Sequence, residues 1–424
     1  MKRRRRSRAG MLPRRLPWYL SASMRSRLPT NLAVAAVLLA CAHLEGLAFA
    51  STASRLVPSE GRAAPTARVY DRVLLISVDG LRSDALIAQD GASLPAFARL
   101  LRGASTLNAR TDPDYTVTLP NHTAMLTGRP VLGAAGHGWI ENEDPPPGAT
   151  LASNKGAYVA GIFDVAHDRG VRTALLVGKT KFSLYAATWD AEHGAPDAVP
   201  PDDGRNKIDA FSYEEKTSGL GDAILRELVG PEPKDGSKTA TTTATTSGAG
   251  RKRLVFAHFA ATDLTAHAYG WDVTPGSRYL KALASIDREI GRVLDAVEKD
   301  DALRGRTAVI LTADHGGGAP FKSHEQTRMW VDYVIPFLVW TGDGGTPRDL
   351  YELNTTTRKD PGIGQPRIDA GEAKDGAAGS AGARPLPPVR NGDSGNLALS
   401  LLGLPAIPGS TLNAAQDLRI EPRE

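Results

Sequence analysis

Cysteine is almost absent from this chain: Cys41 is the one cysteine in 424 residues. It lies in an N-terminal segment that reads as an export signal, and cleavage after Ala50 leaves a mature chain with none. Disulfides, thiolate-bound metal and a cysteine-derived formylglycine nucleophile are then excluded. Long apolar runs are missing too, since the stretch from Leu32 to Ala42 is too short to span a bilayer as a permanent helix. Basic character is confined to the N-terminus. Residues 1–50 hold ten of the 51 Lys/Arg and one of the 47 Asp/Glu, so the remainder carries 41 against 46, a formal −5 rather than the +4 of the whole chain. Beyond that segment the basic run is Arg251-Lys252-Arg253, beside a low-complexity stretch, so nucleic-acid binding is not indicated. No internal repeat is evident.

The first 27 residues carry ten Lys/Arg and no acid, and the apolar stretch from Leu32 leads to the small-residue site Ala48-Phe49-Ala50. That order is the charged region, apolar region and cleavage site of a secretory signal, so residues 1–50 are expected to direct export to the periplasm or medium. Met24 is an alternative start that would leave an ordinary signal, and Arg14-Arg15-Leu16 points weakly to twin-arginine export. Leu38-Leu39-Ala40-Cys41 resembles a bacterial lipobox, and in that alternative Cys41 carries a lipid anchor. No transmembrane span is expected in the mature chain. Residues 51–424 suit one large α/β domain with insertions forming a small cap.

Apolar, β-branched runs alternate with helical patterns. Strands are expected at 73–78, 172–177, 254–259, 307–313 and 334–340, with helices at about 93–103, 120–128, 158–169, 218–229, 277–299 and 395–402. Near-continuous apolar strands separated by helices argue for a mostly parallel central sheet with helices on both faces. Ligands of such sheets bind beyond the carboxyl ends of the strands. Residues 231–250 read as a low-complexity surface loop, and 342–393 as a long irregular excursion; neither is expected to carry chemistry.

Three clusters of metal-ligand type follow strand-like runs. Asp79 follows Val73 to Val78 in VLLISVDG, Asp263 and His267 follow the apolar run in LVFAHFAATDLTAH, and Asp314 and His315 lie in AVILTADHGGG, with His324 close behind. Carboxylate oxygen and imidazole nitrogen suit zinc and similar divalent ions, and manganese or iron fit the same ligand types. Two such ions side by side can clamp the attacking and leaving oxygens of a displacement at phosphorus. Each cluster has a plainer reading beside this one. Asp79-Gly80 fits a turn, and Asp263 with His267 fits a helix N-cap plus a surface histidine. Asp314-His315 followed by three glycines has little structural purpose. Thr118, in TVTLPNHTAMLTG, is a candidate nucleophile at a helix N-terminus marked by Pro120, or merely an N-cap; Thr116 competes with it. A divalent ion beside the hydroxyl would lower its pKa, and a helix N-terminus favours an incoming phosphate. Lys179 and Lys181 in VGKTKFSLY are either solvated surface lysines or a pair that favours a dianionic ester. His122 and His137 are read as shaping the nucleophile's turn and His258 as a core histidine. His167 and His193 show no clustered partners, and Tyr115, Trp139, Phe182 and Trp271 as either pocket wall or core.

The motifs VDGLRSDAL, TLPNHTAMLTGRP with HGWIEN, TDLTAHAYGW, and ADHGGG with SHEQ resemble, in this order, the type I phosphodiesterase and nucleotide pyrophosphatase branch of the alkaline phosphatase superfamily. RNGDSGNLALSLLGLPAIPGS resembles the closing segment of its bacterial members. The resemblance implies a two-zinc site. Asp79, Thr118, Asp314 and His315 would hold one ion, and Asp263, His267 and His324 the other. Asn142 would donate to a phosphate oxygen, and Thr118 would be phosphorylated and then released by water. His324 follows His315 by nine residues, a spacing more like other bacterial branches. Leu119 stands where nucleotide pyrophosphatases often have an aromatic residue that stacks on a base. Some monoesterases of the superfamily carry a Lys-x-Arg pair comparable to Lys179-x-Lys181.

The expected activity is therefore hydrolysis of a small phosphorylated substrate, with phosphodiester or pyrophosphate bonds ahead. A phosphomonoesterase or phosphonate hydrolase is the second reading. A non-catalytic protein that kept the fold is the third, disfavoured because every expected ligand and the nucleophile are in place.

Overall fold

Strand β1 (Arg72–Val78) lies inside the sheet's parallel region, where its neighbours on both sides run with it in level register. The computed structural model describes residues 68–88, 91–197, 204–230, 252–342, 347–362 and 386–422, all in one unit, Ala63–Glu424. The further strands are β2 (Ala104–Arg110), β3 (Arg172–Val177), β4 (Ala210–Tyr213), β5 (Arg253–Phe259), β6 (Thr307–Thr312), β7 (Val334–Trp340) and β8 (Arg348–Asp349). They hydrogen-bond in the order β4-β3-β5-β1-β6-β7-β2-β8. Strand β7 runs against both β6 and β2, and the other pairs are parallel. The sheet is thus mostly parallel, as the apolar runs imply.

Every residue of β5, β6 and β7 is buried. That requires cover on both faces, and the helices divide into two groups accordingly. Arg278–Lys299 packs against Ala261–Tyr269, Thr217–Leu228 and Pro95–Leu100, while Asp393–Leu401 packs against β1, Thr118–Thr127 and Ile162–His167. Pro95–Leu100 has no N-cap side chain of its own, and Asp287 of the long helix supplies one by accepting from Phe97 N–H at 2.9 Å.

Register positions the site. Val78 pairs with Phe259 across β1 and β5, and Ser77 pairs with Thr312 across β1 and β6. The residues that follow these three strands therefore leave the sheet at one edge, side by side. Parallel pairing brings together Asp79, Asp263 and Asp314 from three distant parts of the sequence.

Some elements differ from expectation. Strands β2 and β4 were not marked by apolar runs, and the helix Ala261–Tyr269 follows β5 directly. Helices expected at 93–103 and 158–169 are shorter, at Pro95–Leu100 and Ile162–His167. Within 342–393, β8 and the helix Leu350–Leu353 form, and Asn391 reaches the site, so that excursion is not silent. The signal and lipobox region and residues 231–250 lie outside the described residues. Among the described residues, no helix is long and apolar enough to cross a membrane.

Candidate metal centre

Asp79 is the first residue beyond β1 and is fully buried. Its N–H donates to Phe259 O at 2.9 Å, which ties it to β5. One carboxylate oxygen, Oδ2, lies 2.8 Å from His258 Nε2 and 2.6 Å from Lys179 Nζ. Gly178 N–H points at His258 Nδ1, so the ring hydrogen is on Nε2 and donates to Asp79. Burial alone would raise the Asp79 pKa, but Lys179, His258 and His315 outweigh it and hold the carboxyl well below the usual range.

The turn after β6 carries Asp314 and His315. Asp314 Oδ1 accepts from Gly80 N–H at 3.1 Å and from His315 N–H at 2.9 Å. Burial, with the charges of Asp79 and Asp263 nearby, pushes the Asp314 carboxyl well above the usual range. The glycines that follow are needed for close approach. A Cβ on Gly316 would sit 2.0 Å from Val331 O, and one on Gly317, at φ +154°, would sit 2.1 Å from the Trp271 ring.

The second set hangs from the helix Ala261–Tyr269 and the loop after β6. Asp263 and His267, one helical turn apart, approach to 3.3 Å (Oδ1 to Nε2) without the alignment of a hydrogen bond. His324 stacks on His315 with ring centroids 3.6 Å apart and a 6° tilt, and its Nε2 is 4.0 Å from Asp263 Oδ1. Its Nδ1 is 2.5 Å from Thr116 O, and Thr116 Oγ1 donates back to His324 O. Thr116 is thus engaged in holding His324.

Orphaned atoms test whether these residues fit a metal. Asp79 Oδ1, Asp263 Oδ1, Asp314 Oδ2 and His315 Nε2 are buried with no hydrogen-bond partner. His315 donates Nδ1–H to Gly316 O at 2.9 Å, and burial with His324 alongside pushes its pKa down to about 3, so Nε2 presents a lone pair. That lone pair faces Asp314 Oδ2 at 3.2 Å and Asp79 Oδ1 at 3.4 Å. Three electron-rich atoms turned toward one another in a buried site repel unless a metal ion or a proton lies between them. Each of His267, His315 and His324 also has its Nδ1 beside a backbone carbonyl, the arrangement that fixes a ligating imidazole. At these strand ends, two groups of ligand atoms fall within 4.8 Å of one another: Asp79, Asp263 and His315; and Asp263, His267 and His324. The donor set fits divalent ions.

Thr118 is not an N-cap. Val117 holds that position with extended backbone, and Thr118 is the first residue of the buried helix Thr118–Thr127. Leu119 N–H donates to Asn142 Oδ1 at 3.0 Å, so Asn142 caps the helix from outside. Lys179 Nζ lies 3.5 Å from Thr118 Oγ1 and 2.6 Å from Asp263 Oδ2. It is no surface lysine: its position among Asp79, Asp263 and Asp314 raises its pKa despite burial, which acts to lower it. Lys181 donates to the Asn142 carbonyl, and burial with Lys179 near lowers its pKa.

Phe182, Trp139 and Trp271 are buried and serve packing, with Phe182 stacked on His258. His122 bridges Thr118 O and Ser77 Oγ, both at 2.8 Å, which joins the helix Thr118–Thr127 to β1. His167, which the sequence left without partners, lies with Asp168 and Asp197, and Lys207 fills that group by pairing with Asp168 at 2.8 Å and with Asp197. His193 bonds Asp190 at 3.0 Å.

Residues that orient the candidate ligands were harder to read from sequence than the candidate ligands themselves. His258 sits inside an apolar strand, where nothing announces its bond to Asp79. Asn391 donates to Asn121 Oδ1 at 3.0 Å and to the Asp314 carbonyl at 3.1 Å, linking the RNGDSG segment to the site. His137 joins the first turn of the helix Thr118–Thr127, with Nε2 3.1 Å from Pro120 O and Nδ1 accepting from Trp139 N–H at 3.1 Å. Burial pushes its pKa down to about 3. A folded pKa below the unfolded value of about 6.5 means that the unfolded chain binds the proton more tightly. Stability from this group is therefore fully present above pH 6.5 and is lost as pH falls toward 3. Denaturant titrations at pH 7 and pH 5 should show a smaller pH-dependent loss, by about 1–2 kcal/mol, in His137→Gln than in the native chain.

The mostly parallel sheet, with carboxylates and histidines converging at its strand ends, defines an alkaline phosphatase-like fold carrying a candidate two-metal centre. Residues 73–334 match the model for type I phosphodiesterase / nucleotide pyrophosphatase, and the chain belongs to that family. Among solved structures it is similar to a 2-O GAG sulfatase, with 14% identity, TM-score 0.51, and coverage of 84% of this chain and 75% of the other. A protein in the alkaline phosphatase superfamily from Vibrio parahaemolyticus gives 14% identity, TM-score 0.46, and coverage of 80% and 68%. Phosphopentomutase of Clostridium beijerinckii is 29% identical over 97 residues, which are 22% of this chain and 23% of that protein's length.

Proposed function

We propose that this chain is an exported two-metal hydrolase of phosphoric esters, acting on phosphodiester or pyrophosphate bonds of a small substrate through a phosphothreonine at Thr118. The observation that carries this reading is the convergence of four buried, unpartnered ligand atoms, with Lys179 Nζ bonded to Asp79 and Asp263 and 3.5 Å from the Thr118 hydroxyl. Asp79, Thr118, Asp314 and His315 would hold one ion and Asp263, His267 and His324 the other, with zinc suited to the nitrogen and oxygen donors. The ions would supply positive charge that polarises the ester and lowers the pKa of the hydroxyl.

Thr118 Oγ attacks phosphorus, its proton passes to solvent, and the bond to the leaving oxygen breaks as that oxygen takes up a proton from water. Water then attacks the phosphothreonine, and Thr118 is regenerated with release of the phosphoryl group. Asn142 has its amide oxygen committed to Leu119 N–H, so its NH2 is the end that donates to a phosphate oxygen, and Lys181 steadies Asn142 through its carbonyl. Residues 1–50 act as the export signal in this reading, with lipidation of Cys41 as the alternative to cleavage after Ala50.

A second reading, a phosphomonoesterase, is favoured by Lys179. Two divalent ions and its ammonium against three carboxylates leave the site net positive, which suits a dianionic monoester better than a monoanionic diester. Turnover of bis-p-nitrophenyl phosphate relative to p-nitrophenyl phosphate by the zinc-loaded protein separates them. A ratio well above one supports the diesterase, a ratio well below one the monoesterase, and no turnover of either rejects both. Under the monoesterase reading, Lys179→Ala lowers monoester turnover by about 10²-fold and diester turnover less.

A further inference from the structure

Asp332 touches none of the candidate ligands, yet it is bonded to both segments that carry them after β6. It is fully buried in the short helix Trp330–Tyr333. Its backbone carbonyl accepts from Gly316 N–H at 2.8 Å, and Val331 O beside it accepts from Gly317 N–H at 2.7 Å. These bonds fix the turn that presents Asp314 and His315. The carboxylate faces the other way in function: Oδ1 accepts from Ala319 N–H at 3.2 Å and Oδ2 from Gln326 N–H at 3.0 Å. Ala319 and Gln326 are the two ends of the loop that carries His324. Gly318 N–H, just before that loop, bonds Ser323 O at 2.8 Å, and within it Ser323 N–H bonds Pro320 O at 2.7 Å. The Asp332 carboxylate thus joins both ends of a loop whose middle is held by its own backbone bonds.

We propose that Asp332 is the positioning residue of the second ligand set: its carboxylate closes the 319–326 loop so that His324 meets Asp263 and His267. The inference rests on the two-metal reading above. Groups that orient ligands without touching the metal commonly change affinity by about 10–100-fold when removed. The two sets should respond unequally. Asp79, Asp314 and His315 are held by β1, β6 and their own turn, whereas His324 has the loop and its bonds to Thr116.

Zinc binding to the metal-free full chain, measured by competition with a chelator of known affinity, tests this. Native protein should take up two zinc ions in two resolved steps, and His324→Ala identifies the step that belongs to the second set. Asp332→Ala should weaken that step by about 10–100-fold and leave the other within about threefold. Asp332→Asn, which keeps one acceptor oxygen, should fall between. Equal weakening of both steps, or of neither, would overturn the proposal and leave Asp332 a general packing residue; the melting temperature of each metal-free variant shows which. Native protein that binds no zinc would reject the two-metal reading itself, and this inference with it.

Discussion

Thr118→Ala is expected to lower hydrolysis of p-nitrophenyl phosphate and its bis-ester by at least about 10³-fold while both zinc ions remain bound. The hydroxyl makes no capping bond, since Val117 is the N-cap and Asn142 already accepts from Leu119 N–H. Its contact with Lys179 Nζ, at 3.5 Å, is long. Removing it therefore takes little from the fold, and a melting temperature within about 2 °C of native is the matching expectation. Thr118→Ser keeps the oxygen but loses the β-branch that restricts χ1, so it should recover most of the turnover. Acid quenching during turnover, followed by mass spectrometry of the peptide around Thr118, should find one phosphoryl group in the native chain and none in Thr118→Ala. Unchanged hydrolysis by the alanine variant would remove Thr118 from the mechanism. Thr116 would not replace it readily, because its hydroxyl and carbonyl are both bonded to His324.

Strands buried on both faces were the most legible part of the chain. β1, β3, β5, β6 and β7 are runs of Val, Leu, Ile, Phe and Ala that need little context to become strands. β2 was not legible because ASTLNAR offers neither a continuous nor an alternating apolar pattern; its burial follows from pairing with β7 on one side and β8 on the other. The candidate ligands stood out because a charged pair after a buried strand is locally costly, and a local cost shows in sequence. The groups that orient them were not. His258, Asn391 and Asp332 each bond across long sequence separations, to Asp79, Asp314 O and Ala319, and no spacing rule links such partners. Lys179 shows the same limit. An exposed lysine and one inserted between two carboxylates look alike in VGKTKFSLY, and only the level ends of β1 and β5 decide which it is.

Removal of the metals should lower the melting temperature by on the order of 10 °C as well as abolish turnover. Each ion that binds only the folded chain contributes about 4 kcal/mol at a thousandfold excess over its dissociation constant. Two such terms against the unfolding entropy of a domain this large give that shift. The chain's own charges supply the reason. Asp79, Asp263 and Asp314 are buried together, and Lys179 pairs with two of them. Without the ions Asp314 is driven toward its protonated form by burial and by its two carboxylate neighbours. A carboxyl whose folded pKa lies above its unfolded value contributes most below the unfolded value, and that contribution is lost as pH rises through the folded one. The metal-free chain thus carries a penalty at neutral pH that bound cations remove, and protons compete with cations for the same lone pairs. The difference in melting temperature between zinc-loaded and chelator-treated protein should be largest at neutral pH and shrink as pH is lowered toward 5. Asp314→Asn removes the like-charge repulsion and a ligand at once. It should raise the melting temperature of the metal-free chain at neutral pH while erasing most of the zinc-dependent increment, and an increment equal to native would exclude Asp314 as a ligand.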